Sequence, residues 1–316
     1  MPFSTFPEFT LLTQDNRKEY ERFIEKYPPI SDLSYATLSI WWNFEGTLAV
    51  ASLNDNLVLR YYLPNDRRNS GLTLIGTRQV ASTIKTILSE LEKQGKYTRL
   101  VHVPEFVADL LQESPEFILS EEEDYKEYIL PIAGLYPLEN VRSEWRNKIR
   151  RFLKEVDGSK IEHRTLDLQE ESNQALLLDA AYKWWRESLV SNDLRGDEQV
   201  ALQVSVRNAQ DLGIGNVCLF IDGELAGFSL YQISHNSDFF IGGHIKSRHD
   251  IPRIFDYLVY ATAEKAHERG VTYINAEMDL GIPGLRAHKS ELRPIGFYRK
   301  YRISMAHIKP PRLSDS

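Results

Sequence analysis

Two spacings of hydrophobic positions run through the chain. In the first 133 residues, Val80, Ile84, Ile87, Leu88 and Leu91 recur at helical intervals and predict a helix from about Arg78 to Lys93, with Gly95 as its stop. Residues 17–27 also read as helix, ended by Pro28-Pro29. Ser31–Ser34 offers caps for another helix, ahead of the aromatic run Tyr35–Phe44. Short apolar and β-branched runs predict strands at Leu48–Leu53, Leu57–Leu63, Leu72–Ile75, Arg99–Val103 and Tyr128–Ile132, with a short helix at Phe106–Leu111. From residue 134 the order begins again. Trp145, Ile149, Phe152, Leu153 and Val156 form the apolar face of a helix over Leu138–Val156, and Arg142, Arg146, Arg150 and Lys154 recur every four residues on another face. Next come a strand at Lys160–Arg164 and helices at Gln174–Ser188 and Glu198–Leu212. The strands Asn216–Ile221 and Leu225–Ser234 are joined by the hairpin turn Asp222-Gly223. A strand at Asp238–Ile245, a helix over 252–269 stopped by Gly270, a strand at 271–275 and a last strand at Phe297–Ala306 complete the order.

This pattern predicts an α/β (α+β) protein of two domains, 1–133 and 134–316, each a mixed, mainly antiparallel sheet flanked by helices. The element order resembles the acyltransferase fold called GNAT, twice over. That is a likeness of fold, and fold alone does not assign function.

Composition narrows the picture. The chain has 316 residues, 42% of them hydrophobic and 26% charged, an ordinary soluble composition long enough for two cores. No apolar run reaches the roughly 18–20 residues of a membrane span, and no secretory signal opens the chain, so no integral membrane association and a cytoplasmic location are expected. The single Cys218 excludes an internal disulfide; its apolar run Val217–Ile221 predicts a buried, structural thiol. The net charge of −7 is uneven. Residues 1–133 hold 13 basic and 20 acidic residues, whereas residues 134–316 hold 25 of each. Bulk attraction to DNA is therefore not expected, and any polyanion site must be a local basic cluster in the second part. The acidic run Glu121–Asp124 reads as a solvated loop.

Candidate chemistry concentrates in Tyr273–Tyr301. A β-branched and aromatic strand is followed by two carboxylates, Glu277 and Asp279. Gly281, Pro283 and Gly284 turn the chain, and Pro283 suits the first turn of a helix. Arg286, Lys289 and Arg293 then fall on one helix face. The same residues also suit a charged, solvated turn. His235, His244 and His249 lack metal-ligand spacing on a regular element and read as structural; no metal is expected. Trp41-Trp42 and Trp184-Trp185 read as core and groove walls. The chain has no G-x-S-x-G elbow and no G-x-x-x-x-G-K-[ST] loop.

Tyr273-Ile274-Asn275, Glu277, Asp279-Leu280-Gly281, Gly284-Leu285-Arg286, Lys289-Ser290 and Pro294 together resemble the closing signature of the lysylphosphatidylglycerol synthase C-terminal-domain family. Asp124-Tyr125 with Tyr128, the basic helix from Arg146 to Phe152, and Asp222-Gly223 with Phe228 extend the likeness over roughly residues 20–305. The resemblance implies tandem GNAT-like domains, an architecture shared with Fem-type transferases. In the lipid-modifying members it implies transfer of an aminoacyl group from aminoacyl-tRNA to phosphatidylglycerol. This chain departs at Ala276, where the family pattern has Arg, and at His244-Ile245-Lys246, where it has an acidic-lysine pair. It also has no membrane-spanning flippase part.

Acyl transfer to a hydroxyl or amine needs a group to take the acceptor proton, charge to stabilise the oxyanion, and a hold on a polyanionic donor. Glu277 and Asp279 are the expected bases or acceptor-orienting groups. Lys246, Arg248, Arg286 and Lys289 are the expected donor or phosphate contacts, and Arg142, Arg146 and Arg150 the expected track for a tRNA acceptor stem. The acceptor is expected to be a small molecule or a lipid. No bound cofactor is required; aminoacyl-tRNA or acyl-coenzyme A serves as co-substrate. Coenzyme A is the alternative donor, although the loop Lys246–Pro252 lacks the glycines that expose backbone N–H groups to a pyrophosphate. A GNAT-like binding module without turnover is the non-enzymatic alternative.

Overall fold

The structure, a computed structural model, describes residues 2–42, 48–62, 70–96, 98–187, 195–235 and 237–306. Phe44, Leu63, Ser188 and the loop from residue 191 to 194 lie outside them. In chain order the elements are β1 (Thr10–Leu11), α1 (Arg17–Ile24), α2 (Tyr35–Thr37), β2 (Ala49–Leu53), β3 (Asn56–Tyr62), β4 (Ser70–Ile75), α3 (Val80–Lys93), β5 (Arg99–Pro104), α4 (Glu105–Ala108), β6 (Phe117–Glu121), β7 (Glu127–Pro131) and α5 (Ser143–Glu155). They continue with β8 (Ile161–Arg164), α6 (Glu171–Glu187), α7 (Arg195–Arg207), α8 (Ala209–Leu212), β9 (Ile214–Ile221), β10 (Glu224–Ile233), β11 (Phe239–Ser247), α9 (Ile254–Glu268), β12 (Tyr273–Asn275), α10 (Pro283–Glu291), β13 (Gly296–Tyr298) and β14 (Lys300–Met305).

The chain forms two compact units. The first comprises Met1–Ile24, Trp42–Lys126 and Tyr298–Ser316. It holds a four-stranded sheet, β1-β2-β3-β4, and a three-stranded sheet, β5-β14-β6. The β2–β3 hairpin turns at Asn54-Asp55, both at positive φ, as a two-residue turn of this hand requires. The apolar face of α3 (Ile84, Ile87, Leu88, Leu91) packs with Val58, Leu74, Leu100, Val103 and Ile303. Strand β6 was not signalled by periodicity, because its burial alternates in only five residues. The acidic run after it is not a solvated loop throughout: Glu122 is buried, accepts the His102 backbone N–H at 2.6 Å and pairs with Arg302 at 3.0 Å.

The second unit comprises Glu25–Trp41 and Glu127–Phe297. Its sheet runs β13-β7-β12-β11-β10-β9-β8, with β11 and β12 parallel. Strand β9 is covered on both faces. Val217 and Leu219 join the core with residues of α5 and α9, while Cys218 and Phe220 join the core with residues of α6 and α7. This explains why Val217–Ile221 is apolar without alternation. Cys218 is fully buried, and burial pushes its thiol up to about 12.

The units do not follow a single cut after residue 133. Strand β7 pairs with β12 in the second unit. The run expected as one strand over Phe297–Ala306 breaks at Arg299, and β14 inserts between β5 and β6 of the first unit. Pairing partners of strands are set by long-range contacts, which local periodicity does not encode.

Candidate functional site

The site grows from the parallel pair of β11 and β12. Phe239, Phe240 and Ile241 of β11 register with Tyr273, Ile274 and Asn275 of β12, and there β12 ends while β11 runs on to Ser247. Where the strands part, a small cleft of about 10 Å³ is lined by Ile40, Trp41, Gly242, Gly243, His244 and Glu277, among others. Space is tight at the parting: a Cβ on Gly242 would stand 3.3 Å from the Asn275 carbonyl oxygen, and one on Gly243 3.2 Å from that of Leu230. A bulge lies at the same place. Ser229 opposes Ile245 and Tyr231 opposes Gly242, so Gly243 and His244 face the single residue Leu230.

Two adjacent residues of β7 anchor the end of β12 from opposite faces. Glu127 is fully buried and accepts hydrogen bonds from the Ser31 N–H (2.9 Å), the Ser31 hydroxyl (2.8 Å) and Asn275 Nδ2 (2.5 Å). Asn275 Oδ1 in turn accepts the Glu277 N–H at 2.9 Å. The Tyr128 backbone accepts from Ala276 N–H (2.9 Å) and donates to the Glu277 carbonyl (3.2 Å). Both ends of the Glu277 residue are thereby fixed, at φ +56°, a conformation that a side-chain-bearing residue holds only when its surroundings enforce it. Glu277 lines the cleft.

Asp279, two residues on, does not share that role. It is fully buried and accepts from Tyr128 Oη (2.5 Å), Arg286 Nε (2.9 Å), Arg286 Nη2 (2.7 Å) and the Gly281 N–H (2.8 Å). Burial pushes its pKa up, but these hydrogen bonds and the Arg286 charge outweigh it and hold the carboxyl below the usual carboxylate range. Lys289 is buried beside it, donates to the Met278 carbonyl and lies 5.8 Å from the Tyr128 ring. The expected acid pair thus divides into a carboxylate at the cleft and a carboxylate that fastens the β12–α10 turn. Arg286 and Lys289 serve the second.

The other expected phosphate contacts are also engaged. Lys246 pairs with Glu198 and lies 4.9 Å over the Trp185 ring. Arg248 is held by Asp250 at 2.6 Å and faces Glu224 at 3.7 Å. Arg142 donates to the Glu291 carbonyl, and burial followed by the Arg293 charge lowers its pKa. Arg146 reaches the Glu139 carbonyl at 3.4 Å, and Arg150 is exposed on α5. The basic row of α5 therefore reads as partly tied to α10 and its neighbours, with Arg150 outward. Lys148 is the residue of α5 that joins helices, bonding Glu291 at 2.6 Å and Asp256 at 3.5 Å.

From the sequence, His244 reads as structural. It is 3% exposed, stacks on Trp41 at 5.1 Å between ring centroids, and lines the cleft. Its Nε2 has no protein partner among the described residues. Burial first, and the Lys246 charge second, push the imidazole down to about 3, so the ring is neutral near pH 7. The signal was present in Gly242-Gly243-His244: a lone polar residue after two glycines in an otherwise apolar strand. Trp41 is a cleft wall, and Trp184 and Trp185 are core, as their pairing suggested.

The family model described as phosphatidylglycerol lysyltransferase, C-terminal, matches residues 30–304. The chain belongs to this family. Among solved structures, a conserved protein of unknown function from Bacteroides thetaiotaomicron is 22% identical with a TM-score of 0.77, over 94% of this chain and 99% of that one. The C-terminal domain of a putative lysylphosphatidylglycerol synthetase from Agrobacterium fabrum is 11% identical with a TM-score of 0.64, over 92% of each chain. A tandem GNAT protein from the clavulanic acid biosynthesis pathway is 9% identical with a TM-score of 0.52, over 96% of this chain and 99% of that one. The fold is thus tandem GNAT-like. No curated protein is significantly similar in sequence. Among the described residues, no helix is long and apolar enough to cross a membrane.

Proposed function

We propose that this member of the phosphatidylglycerol lysyltransferase C-terminal family is an acyl-group transferase that moves an aminoacyl group from aminoacyl-tRNA to a hydroxyl or amine. The observation that carries the reading is Glu277, held at positive φ at the mouth of the parted β11–β12 pair and lining the cleft. In this scheme the acceptor enters the cleft, Glu277 receives its proton as it attacks the donor carbonyl, and the proton passes to the leaving ribose oxygen. Asp279 keeps the turn that presents Glu277 and takes no proton. Arg150, exposed on α5, is the side chain best placed in that row to meet a donor phosphate. Membership of the family supports the aminoacyl donor, and the glycine-free Lys246–Pro252 loop disfavours a backbone cradle for coenzyme A.

The test is transfer of label. The full chain is incubated with tRNA charged with labelled amino acids, and in parallel with labelled acyl-coenzyme A, against amine and alcohol acceptors. Label leaving aminoacyl-tRNA in wild type and not in Glu277→Gln is the expected result. Transfer from acyl-coenzyme A alone would replace the donor. Tight binding of charged tRNA without turnover would make the chain a binding module.

A further inference from the structure

Helix α10 is held to the fold by polar links more than by apolar packing. Of Pro283–Glu291, only Lys289 is buried. The links reach two neighbouring helices. Arg142, just before α5, donates to the Glu291 carbonyl. Lys148 of α5 bonds Glu291 Oε2 at 2.6 Å and reaches Asp256 Oδ1 of α9 at 3.5 Å. His288 stands at this junction. Phe255 of α9 meets its ring edge-on at 4.8 Å between centroids. Its Nδ1 lies 3.8 Å from Asp256 Oδ1, beyond hydrogen-bond reach. Its Nε2 is buried and has no protein partner among the described residues. The neutral ring carries one N–H, and protonation puts an N–H on both nitrogens whichever tautomer it starts from. The Nε2–H of the cation is then buried without an acceptor, which is costly. The charges that face the ring are mixed: Asp256 from α9, Lys148 from α5, and Glu291 and Lys289 from α10 itself. Burial is the largest effect and pushes the imidazole below its ordinary value; Asp256 and Glu291 oppose it, and Lys148 and Lys289 add to it.

We propose that His288 makes α10 an acid-released latch: its protonation loosens α10 from α5 and α9, and with α10 the β12–α10 turn that Arg286 and Lys289 fasten. A histidine held low is neutral while the helix is closed and takes its proton more readily once the helix opens. Closure is therefore fully favoured above about pH 6.5, the ordinary histidine value, and weakens as pH falls below it. The opening equilibrium rises as the open form takes up its proton, with a ceiling of about tenfold between pH 7.5 and 5.5. Glu291 does not share this titration, because the Lys148 hydrogen bond holds its carboxyl below the usual carboxylate range. The coupling to the turn is direct, since Arg286 and Lys289 flank His288 on the same short helix. When α10 moves, Asp279 loses both Arg286 contacts and the Met278 carbonyl loses Lys289. A helix with so little apolar anchorage is the element expected to open before the sheet does. The latch does not depend on the transferase reading. It acts on the turn that follows Glu277, whatever Glu277 does.

The experiment is amide hydrogen exchange on the full chain at pH 7.5, 6.5 and 5.5, each rate divided by the intrinsic rate at that pH. Wild type is compared with His288→Phe and His288→Gln. Phe keeps the ring against Phe255, Gln keeps a polar side chain, and neither can take a proton in this range; a thermal melt at pH 7.5 shows which of them folds, and either one suffices. In wild type, the opening of α10 read from the amides of Arg286 to Leu292 should rise several-fold from pH 7.5 to 5.5, up to the tenfold ceiling. The Gly281 amide, which donates to Asp279, should rise with it. Helix α3 of the first unit should stay flat over the same range. In the folded variant the rise in α10 should vanish. Four results would each overturn the proposal: α10 flat in wild type, an equal rise in the variant, an equal rise in α3, or a rise in α10 that leaves Gly281 unchanged.

Discussion

Each unit buries a histidine beside a tryptophan at a strand bulge, and the two sites end in opposite states. In the first unit, Val101 and His102 of β5 face the single residue Arg302, and His102 lies at φ +50°. Its N–H goes to Glu122, its carbonyl accepts from Thr73, and its Nδ1 is 3.1 Å from Tyr61 Oη. Trp42 and Tyr125 pack on the ring at 5.4 and 4.4 Å. In the second unit, the equivalent ring at His244 has Trp41 on it and a cleft in front of it. The two carboxylates of the closing turn differ in place: Asp279 is saturated by four donor contacts, and Glu277 lines the cleft. A polar group whose bonds are all made within the protein adds to stability. One left without a partner, as His244 Nε2 is among the described residues, costs stability.

The largest expected effect is therefore on turnover at the open site. Glu277→Gln should lower aminoacyl transfer about 10²- to 10⁴-fold, the usual contribution of a positioned proton acceptor, while the urea midpoint barely moves. Rates from the label-transfer assay and an equilibrium urea curve on the same sample check it. A fall in both together would mean that Glu277 is structural.

Asp279→Ala should do the reverse. It leaves the Arg286 guanidinium, the Tyr128 hydroxyl and the Gly281 N–H without their shared acceptor. Removing one member of a buried pair costs roughly 3–5 kcal/mol. The lower end applies here, because the Arg286 side chain is 43% exposed. Activity per folded molecule should survive at permissive temperature to the extent that the turn does. A folded Asp279→Asn variant with no turnover would break the comparison and return Asp279 to the chemistry. In the first unit, His102→Ala should cost about 2 kcal/mol through lost ring packing, with transfer per folded molecule unchanged. Thermal melts and single-turnover rates separate the two.

These contrasts mark what a sequence can and cannot convey. The apolar faces of α3 and α5, the doubly covered β9 and the Asp222-Gly223 hairpin were legible, because each is decided within a few residues by periodicity or turn chemistry. Glu277 and Asp279 were legible as a pair but not as a division of labour, which is decided by Tyr128 and Arg286, 151 and 7 residues away from Asp279. The exchange of β7 and β14 between sheets left no local trace. The basic row of α5 was visible, but its partners at Glu139 and Glu291 were not, so charges that looked available are partly spent within the fold. His244 looked structural because its surroundings depend on Trp41, far from it in sequence.

The smallest effect tests the saturated site most finely. Tyr128→Phe removes one donor from Asp279 and keeps Arg286 and the Gly281 N–H in place. Losing one hydrogen bond to a charged group should cost about 1.5 kcal/mol near neutral pH. Its pH dependence is the sharper reading. The Asp279 carboxyl is held below its ordinary value in the folded protein, so it contributes stability that is fully present above the unfolded pKa and is lost as pH falls through the folded one. Without the Tyr128 hydroxyl that depression is smaller. The gap between wild type and variant should therefore be full above about pH 5 and close progressively below about pH 4, where the carboxyl protonates in both. Urea curves at stepped pH measure it. A gap that stayed constant to pH 3 would show that the tyrosine hydroxyl stabilises the turn without acting through the Asp279 charge, and the four-donor account of that carboxylate would lose its strongest neutral member.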